Sequence, residues 1–305
     1  MALSRAAFTA IITPDLHRVY VETGKEYPLE YPMFLNVEDM EWNPIKDQQI
    51  TGLGSMPSKP EGTQFVLDEP VLGANKSYTA EPFGLALEIP WALWRDELYG
   101  VMRDMVVELA RAGRHRQEID AADLLNSGFV TTTRTGFDGL ALFSTAHTII
   151  GPVPAGVAAT QANRPSPDIA LSVTGVQSML LRFETQVNER GLPARLKPSM
   201  IVIHPNNKFV AREILGSSGK PYTANNELNA LVQDDLSWMV SHYLTSQTAW
   251  FTLAAKGMHD LTFYWRDHPM FDSFSDERTK SAVFTAYQRH VAAFGSWKGS
   301  DGSNA

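Results

Sequence analysis

Behind Pro90, a residue favoured in the first turn of a helix, Trp94, Leu98, Val101, Met105, Leu109 and Ala112 recur at spacings of three and four. Residues so spaced share one face of a 3.6-residue period, so the pattern predicts an amphipathic helix with an apolar stripe. The stripe runs on through Ile119, Ala122 and Leu125 to a stop at Gly128. Gly113 leaves two readings, one unbroken helix over 90–127 or two shorter ones, because glycine inside a helix costs up to ~1 kcal/mol. Unbroken, the helix would span about 57 Å, a length that suits a spine laid across a flat domain.

What precedes the helix is poor in core-forming residues. Over 1–43, Pro14, Pro28 and Pro32 break any long helix and favour extended or turning backbone, the character of an arm. From Pro44 to Pro82 glycine and proline become frequent. Gln49–Ser55 and Thr63–Val71 flank the turn signal Ser58-Lys59-Pro60-Glu61-Gly62, which predicts a long two-stranded hairpin with mostly polar faces. A hairpin alone is marginal in water, so this one needs a neighbour, such as another subunit.

Downstream, the pattern is mixed. Phe129–Thr133 reads as a strand, and Gly151–Pro167 is a loop of small residues that marks a subdomain boundary. Val176, Met179, Leu180, Phe183 and Val187 have helical spacing, and Met200–His204 is a strand feeding a helix at Pro205. After the polar turn Gly216–Asn229, strand-like runs follow at 237–244, 248–255, 261–265 and 281–294. The short polar tail Ser296–Ala305 is expected to fray. The fold class is therefore α+β.

Composition serves mainly to exclude. At 305 residues, 44% hydrophobic and 20% charged, the chain is an ordinary folded protein with one elaborate domain or two modest ones. Its formal charge of −8 repels a phosphate backbone on average, which argues against sequence-reading nucleic-acid binding. No cysteine is present, so disulfides, thiol nucleophiles and Cys-ligated zinc are excluded. The longest apolar runs fall far short of the ~20 residues a membrane helix requires, and Phe8–Ile12 is too short for a signal-peptide core. A soluble, non-secreted protein is expected.

Chemistry finds no foothold. His17, His115, His147, His204, His242, His259, His268 and His290 never take the three- to five-residue spacings of metal pairs. His147 near Asp138, and His268 near Asp272, read as hydrogen-bonded or solvated turn residues. Ser55 and Ser144 lack the flanking glycines of a hydrolase elbow, and no phosphate-cradling glycine motif occurs. The carboxylates Glu118, Asp120 and Asp123, beside Arg114 and Arg116, and the pair Asp234-Asp235 read as solvated charge. Asn75-Lys76-Ser77 matches a glycosylation acceptor that means nothing without a secretory signal. The aromatic runs Trp250-Phe251 and Phe263-Tyr264-Trp265 lack interleaved basic residues and read as packing. No catalytic, cofactor-binding or metal-ligating residue is nominated, and no cofactor.

Three separated stretches carry a resemblance. Phe137-Asp138-Gly139-Leu140-Ala141-Leu142-Phe143-Ser144-Thr145-Ala146-His147, Arg190-Gly191-Leu192-Pro193-Ala194-Arg195-Leu196-Lys197-Pro198 and Ala249-Trp250-Phe251 resemble, in order, the major head subunit of Mu-like phages and prophages, a branch of the Hong Kong 97 capsid fold. The resemblance implies residues 1–43 as an N-terminal arm and 44–82 as an extended loop, both reaching over adjacent subunits. It implies 83–165 as a peripheral domain with its spine helix, 166–255 as an axial domain, and 256–305 as the peripheral return and C-terminal tail. The implied function is that of a major capsid protein of a tailed bacteriophage, self-assembling into hexamers and pentamers of an icosahedral shell around packaged double-stranded DNA. The implied partners are itself, a scaffold, a portal and decoration proteins, with no membrane. Its place would be the virion, after assembly in the host cytoplasm.

Some relatives crosslink a loop lysine to an asparagine of a neighbour. Lys46, Lys59 and Lys76 lie in or beside this loop, but no motif identifies the acceptor, and the crosslink is not carried over. The absence of an extra helical N-terminal region implies either a processed chain or a separate scaffold. Two other readings compete: an encapsulin-like compartment shell, and a hydrolase using a cleft beside 166–255.

Overall fold

The computed structural model describes residues 5–90, 92–93, 96, 99–154, 156–217, 219, 228–276, 278–279 and 281–305, without the side chains of 5–13, Tyr99 and Gln233. Trp94 and Leu98 of the expected helical stripe, and most of the polar turn 216–229, lie outside these residues. The helices are α1 (Arg5–Glu26), α2 (Tyr31–Phe34), α3 (Tyr99–Asn126), α4 (Val173–Glu184) and α5 (Lys208–Gly216). The strands are β1 (Asn36–Asp39), β2 (Ile45–Ile50), β3 (Leu72–Tyr78), β4 (Glu81–Pro90), β5 (His147–Thr148), β6 (Thr160–Gln161), β7 (Pro198–Ile203), β8 (Ser237–Val240), β9 (Ala249–Ala254), β10 (Thr262–Asp276), β11 (Ser281–Ala293) and β12 (Ser300–Asn304). Among the described residues, no helix is long and apolar enough to cross a membrane.

Helix α3 is continuous through Gly113. The glycine sits where a side chain has little to replace: the Tyr20 hydroxyl lies 3.8 Å from the place of its missing Cβ, and Gln288 Nε2 donates to its carbonyl at 3.1 Å. Met102, Val106, Leu109 and Ala110 are buried in one core with Phe271, Ala282, Phe284 and Ala286 of the sheet. Further along, Ala121, Leu124 and Leu125 enter a second core with Phe143, Phe251 and Phe263. The stripe is rotated from the expected one. Val101, Met105 and Ile119 stay 42%, 36% and 48% exposed, because the apolar arc of the helix is wider than the sheet beneath it covers.

Two four-stranded sheets flank the helix, in the orders β1-β10-β11-β4 and β12-β9-β7-β8. In the first, β11 pairs antiparallel with both β10 and β4, and β1 adds in parallel to β10. In the second, β7 and β8 run parallel, which requires a crossover; α5 lies within it. A third core joins Val176 and Met179 of α4 to Ile201, Ile203, Ala211, Ile214 and Trp250. The aromatic runs are packing, as expected: Trp250, Phe251, Phe263 and Trp265 are all buried.

Three expectations are overturned. Proline does not prevent a long helix near the start: α1 spans Arg5–Glu26 with Pro14 inside. Leu16, Val19 and Tyr20 are buried against α3 and the first sheet, with the Tyr20 and Phe271 rings stacked at 4.8 Å, so tertiary burial outweighs the hydrogen bond Pro14 removes. Phe129–Thr133 forms turns rather than a strand. The tail does not fray, because β12 pairs antiparallel with β9 from Ser300↔Leu253 to Asn304↔Ala249. Its small residues are what the site admits: a Cβ on Gly302 would meet Phe143 at 2.9 Å. Asp301, fully buried, takes a two-pronged contact from Arg182 at 2.6 and 2.7 Å. The hairpin exists, but its ladder lies nearer its base than expected, with β2 pairing β3 from Ile45↔Tyr78 to Ile50↔Leu72.

Ending the chain after Lys298 removes β12 and strands Arg182 without its carboxylate. Losing a buried ion pair of this kind costs about 3–5 kcal/mol, and the thermal unfolding midpoint should fall by roughly 2–4 °C per kcal/mol. An unchanged midpoint would mean that the tail is not held as described.

Candidate assembly surface

Between the ladder of β2 and β3 and its tip, the chain runs from Thr51 to Val71 without regular pairing. Its base is closed by Thr51 N donating to Val71 O at 3.0 Å and Val71 N to the Thr51 hydroxyl at 2.8 Å. Gly54 N donates to Asp68 Oδ2 at 2.7 Å, and the Arg190 guanidinium donates to the other oxygen of the same carboxylate. That hydrogen bond from Arg190, with the Gly54 amide, holds the Asp68 carboxyl below its ordinary range. Arg190 is 6% exposed. It belongs to the stretch Arg190–Pro198 singled out by sequence, although nothing in that stretch named Asp68 as its partner.

Beyond this anchor the loop carries apolar side chains into solvent. Met56 is 98% exposed, Phe65 80%, Val66 72% and Leu67 92%. The expected mostly polar faces are thus only half of the description, and a run of consecutive exposed apolar residues marks an interaction surface. Lys59 Nζ lies 4.6 Å from the centre of the Phe65 ring. Of the other loop lysines, Lys46 is exposed and Lys76 donates to the Thr135 hydroxyl at 2.7 Å.

The body that presents this loop is tied by buried polar groups. The stretch Phe137–His147 closes on itself, with His147 Nδ1 2.5 Å from Asp138 Oδ2 and Nε2 3.0 Å from Asn163 Oδ1. Burial works to raise the Asp138 carboxyl, but the hydrogen bond and charge of His147 outweigh it and hold the group below its ordinary range. The His147 ring stacks on Trp297 at 4.4 Å, and Asn163 Nδ2 donates to Leu142 O at 2.7 Å and Ser300 O at 3.3 Å. His268 contacts Asp39 at 2.9 Å rather than Asp272. His147 is fully buried, so of the two readings offered for it the hydrogen-bonded one applies.

The carboxylate cluster on α3 is a further correction. Asp234 and Asp235 are exposed as expected, yet Glu118 is 2% and Asp120 8% exposed. Asp120 is held by Arg116 at 2.6 and 2.9 Å and by His290 Nε2 at 2.9 Å, while Asp123 pairs with Arg134 at 2.7 Å. Glu118 accepts from the backbone N–H groups of Glu30 at 2.5 Å and Tyr31 at 3.1 Å, pinning the segment after α1 to the spine. Desolvation pushes Glu118 up to about 7 against those two bonds. Helical spacing put Glu118 on the same face as Leu125 and Ala122, a signal that charge type alone obscured. Among the described residues, no group of three or more His, Cys, Asp or Glu could hold a metal ion.

Comparison with known proteins now bears on this surface. The family model described as phage capsid protein matches residues 74–300. The chain belongs to the phage capsid protein family. This phage capsid protein is similar in structure to the procapsid of bacteriophage JBD30, with 15% identity, a TM-score of 0.55 and coverage of 98% of this chain and 75% of that one. It is similar to the capsid of a native GTA particle at 11% identity and TM-score 0.55, covering 90% of each chain. It is also similar to the holo-SrpI encapsulin complex of Synechococcus elongatus PCC 7942, at 9% identity and TM-score 0.52, covering 90% and 86%. At these identities the likeness is one of fold, the Hong Kong 97 type. No curated protein matches the chain. The fold is shared by phage shells and encapsulin compartments, and the family match is what places the chain among the phage capsid proteins, with the virion capsid as its site.

Two measurements probe the site. Arg190→Ala should free the loop, so that limited proteolysis cuts within 51–71 several-fold faster while the thermal midpoint of the body shifts little. For Glu118, the folded value lies above the ordinary one, so its contribution is fully present below about 4.5 and is lost as pH rises to about 7. Glu118→Gln keeps an acceptor for the two N–H groups and carries no charge. Its stability relative to the parent should therefore climb by up to roughly 3 kcal/mol between pH 4.5 and 7.5 in urea unfolding; a flat difference would refute the desolvation argument.

Proposed function

We propose that this capsid protein is the major head subunit of a tailed phage of the Mu-like branch, and that it assembles with itself into hexamers and pentamers of an icosahedral shell. The observation that carries this reading is the loop 51–71, anchored through Arg190 and Asp68 yet exposing Met56, Phe65, Val66 and Leu67. Such a surface loses its exposure only against a neighbour, and burying apolar area is worth roughly 25 cal/mol per Å². Assembly and folding are then linked, since a partner that binds only the folded subunit also stabilises it.

In this reading residues 44–82 are the extended loop, 83–165 the peripheral domain, 166–255 the axial domain and 256–305 the return and tail, whose last strand joins the axial sheet. Residues 1–43 are the arm, docked from Leu16 onward on its own spine helix. The role is structural rather than catalytic. The net charge of −8 favours a wall that encloses DNA without gripping it. A scaffold, a portal and decoration proteins complete the partner list, and the host cytoplasm is the place of assembly.

Deleting residues 50–72 tests the reading. The parent chain, expressed alone and with its scaffold, should give rings, capsomers or shells in negative-stain electron microscopy. The deletion variant should keep its far-ultraviolet circular dichroism and cooperative unfolding while sedimenting as a monomer. Shells formed by the deletion variant would refute the role given to the loop.

A further inference from the structure

The segment after β8 is held to the spine helix and to the turn after α1 by a cluster of titratable side chains. Glu30 is at its centre. His242 N donates to Glu30 Oε2 at 3.0 Å and His242 Nδ1 lies 2.5 Å from Glu30 Oε1, while the backbone N–H of Glu30 itself donates to Glu118 of α3 at 2.5 Å. Beside this bridge the Tyr243 hydroxyl lies 2.7 Å from His115 Nδ1 and 3.0 Å from the Tyr27 hydroxyl. The same segment has a second attachment that carries no charge. Asn126 Nδ2 donates to Tyr243 O at 3.0 Å and Thr245 N donates to Asn126 Oδ1 at 3.0 Å, with Leu244 buried in the core.

Two carboxylates therefore meet with little positive charge to separate them. The groups that face Glu118 are Glu30 and Tyr31 from the turn, Arg114 from its own helix and Tyr243 from the segment after β8; beyond them His242 contacts Glu30 and His115 contacts Tyr243. Among the described residues Arg114 is the only permanent cation that bears on Glu118, and its guanidinium donates to Gln117 at 3.3 Å rather than to a carboxylate. The remaining positive charge comes from histidine, whose ordinary titration falls between about pH 5 and 8. Burial raises Glu118 to about 7, and a carboxyl so raised costs stability as pH climbs through its folded value. Rising pH thus removes positive charge from imidazole and adds negative charge to Glu118. Both changes act on Glu30 in one direction: its pair with His242 falls back to a neutral hydrogen bond, and an ionised neighbour repels it. The Glu30 side chain is 20% exposed, so water lies within its reach.

We infer that Glu30, Glu118 and His242 form a proton-gated clasp, which when protonated ties the turn 27–31 and the segment 242–243 to the spine, and on losing its protons lets the Glu30 carboxylate go to water. The hydrogen bonds of Asn126 and the burial of Leu244 hold the segment in place meanwhile, so the change is local and reversible. Tyr243 keeps its proton throughout, since burial and the Tyr27 hydroxyl hold it above its ordinary range. What the clasp governs is how firmly the turn that ends α1 is joined to the second sheet. It is a contact inside one subunit and does not depend on the assembly reading.

Amide hydrogen exchange of the full chain, resolved to single residues by mass spectrometry, tests the clasp at about pH 5.5 and about pH 8. After division by the intrinsic rate at each pH, protection of the His242 amide should fall on the order of tenfold, while that of the Thr245 amide, held by Asn126, should not follow. Glu118→Gln keeps the acceptor without the charge and should shrink the fall. Glu30→Gln, at a part-exposed position, should leave the His242 amide weakly protected to the same degree at both pH values. Equal protection of His242 in the parent at the two pH values overturns the clasp. So does a Thr245 amide that falls in step with it, which is general loosening, or a fall in Glu30→Gln as large as in the parent.

Discussion

Helix α3 holds the subunit together because, with β10 and β11, it runs through two hydrophobic cores and joins them. Its first half closes the core of α1 with β10 and β11 through Met102, Val106 and Leu109. Its last turns, through Ala121, Leu124 and Leu125, join the core in which Phe143, Phe251 and Phe263 meet. A helix apolar on one side only would serve one of these. This one serves both because it is long, and because Gly113 lets Tyr20 and Gln288 close on its middle. The two sheets are thereby set at a fixed relation along a single rod.

Polar ties then fix what the cores leave free. Glu118 holds the turn after α1, Arg182 with Asp301 holds the last strand, and His147 with Asp138 and Asn163 holds the long irregular stretch between α3 and α4. Each is buried and partnered, so each charge is desolvated in one geometry only, and losing a partner costs more than an exposed pair would. Burial raises Asp301 to about 7, with the Arg182 fork opposing it. A body so tied can present a loop of exposed apolar residues without collapsing onto it.

How much of this was legible in sequence follows the range of the physics. The α3 helix, the strand-like runs at 248–255, 261–265 and 281–294 and the core aromatics rest on local periodicity, and the structure has a helix, strands and buried rings there, although β10 runs on past the expected end to Asp276 and the buried stripe of α3 is rotated. The helix through Pro14 and the strand at Ser300–Asn304 do not. Neither segment has a strong local preference for its conformation, and each is stabilised by a distant partner, Phe271 for the first and β9 with Arg182 for the second. The same holds for Glu118 and Asp120, whose burial depends on what lies across the helix. For the loop, the turn was legible. Its anchor was not, because Arg190 and Asp68 are far apart in the chain.

A long edge strand is ordinarily a liability, since such edges recruit strands indiscriminately. β4 is ten residues long and, among the described residues, pairs only with β11. Pro82 and Pro90 stand near its two ends, with Glu81 and Glu88 beside them, which limits any added strand to a few residues. Glu61, Asp68 and Glu69 flank the loop's own apolar run Phe65–Leu67 in the same way. Proline and charge at the flanks thus keep the open backbone of both segments short, while Arg190 on Asp68 anchors the loop at its base.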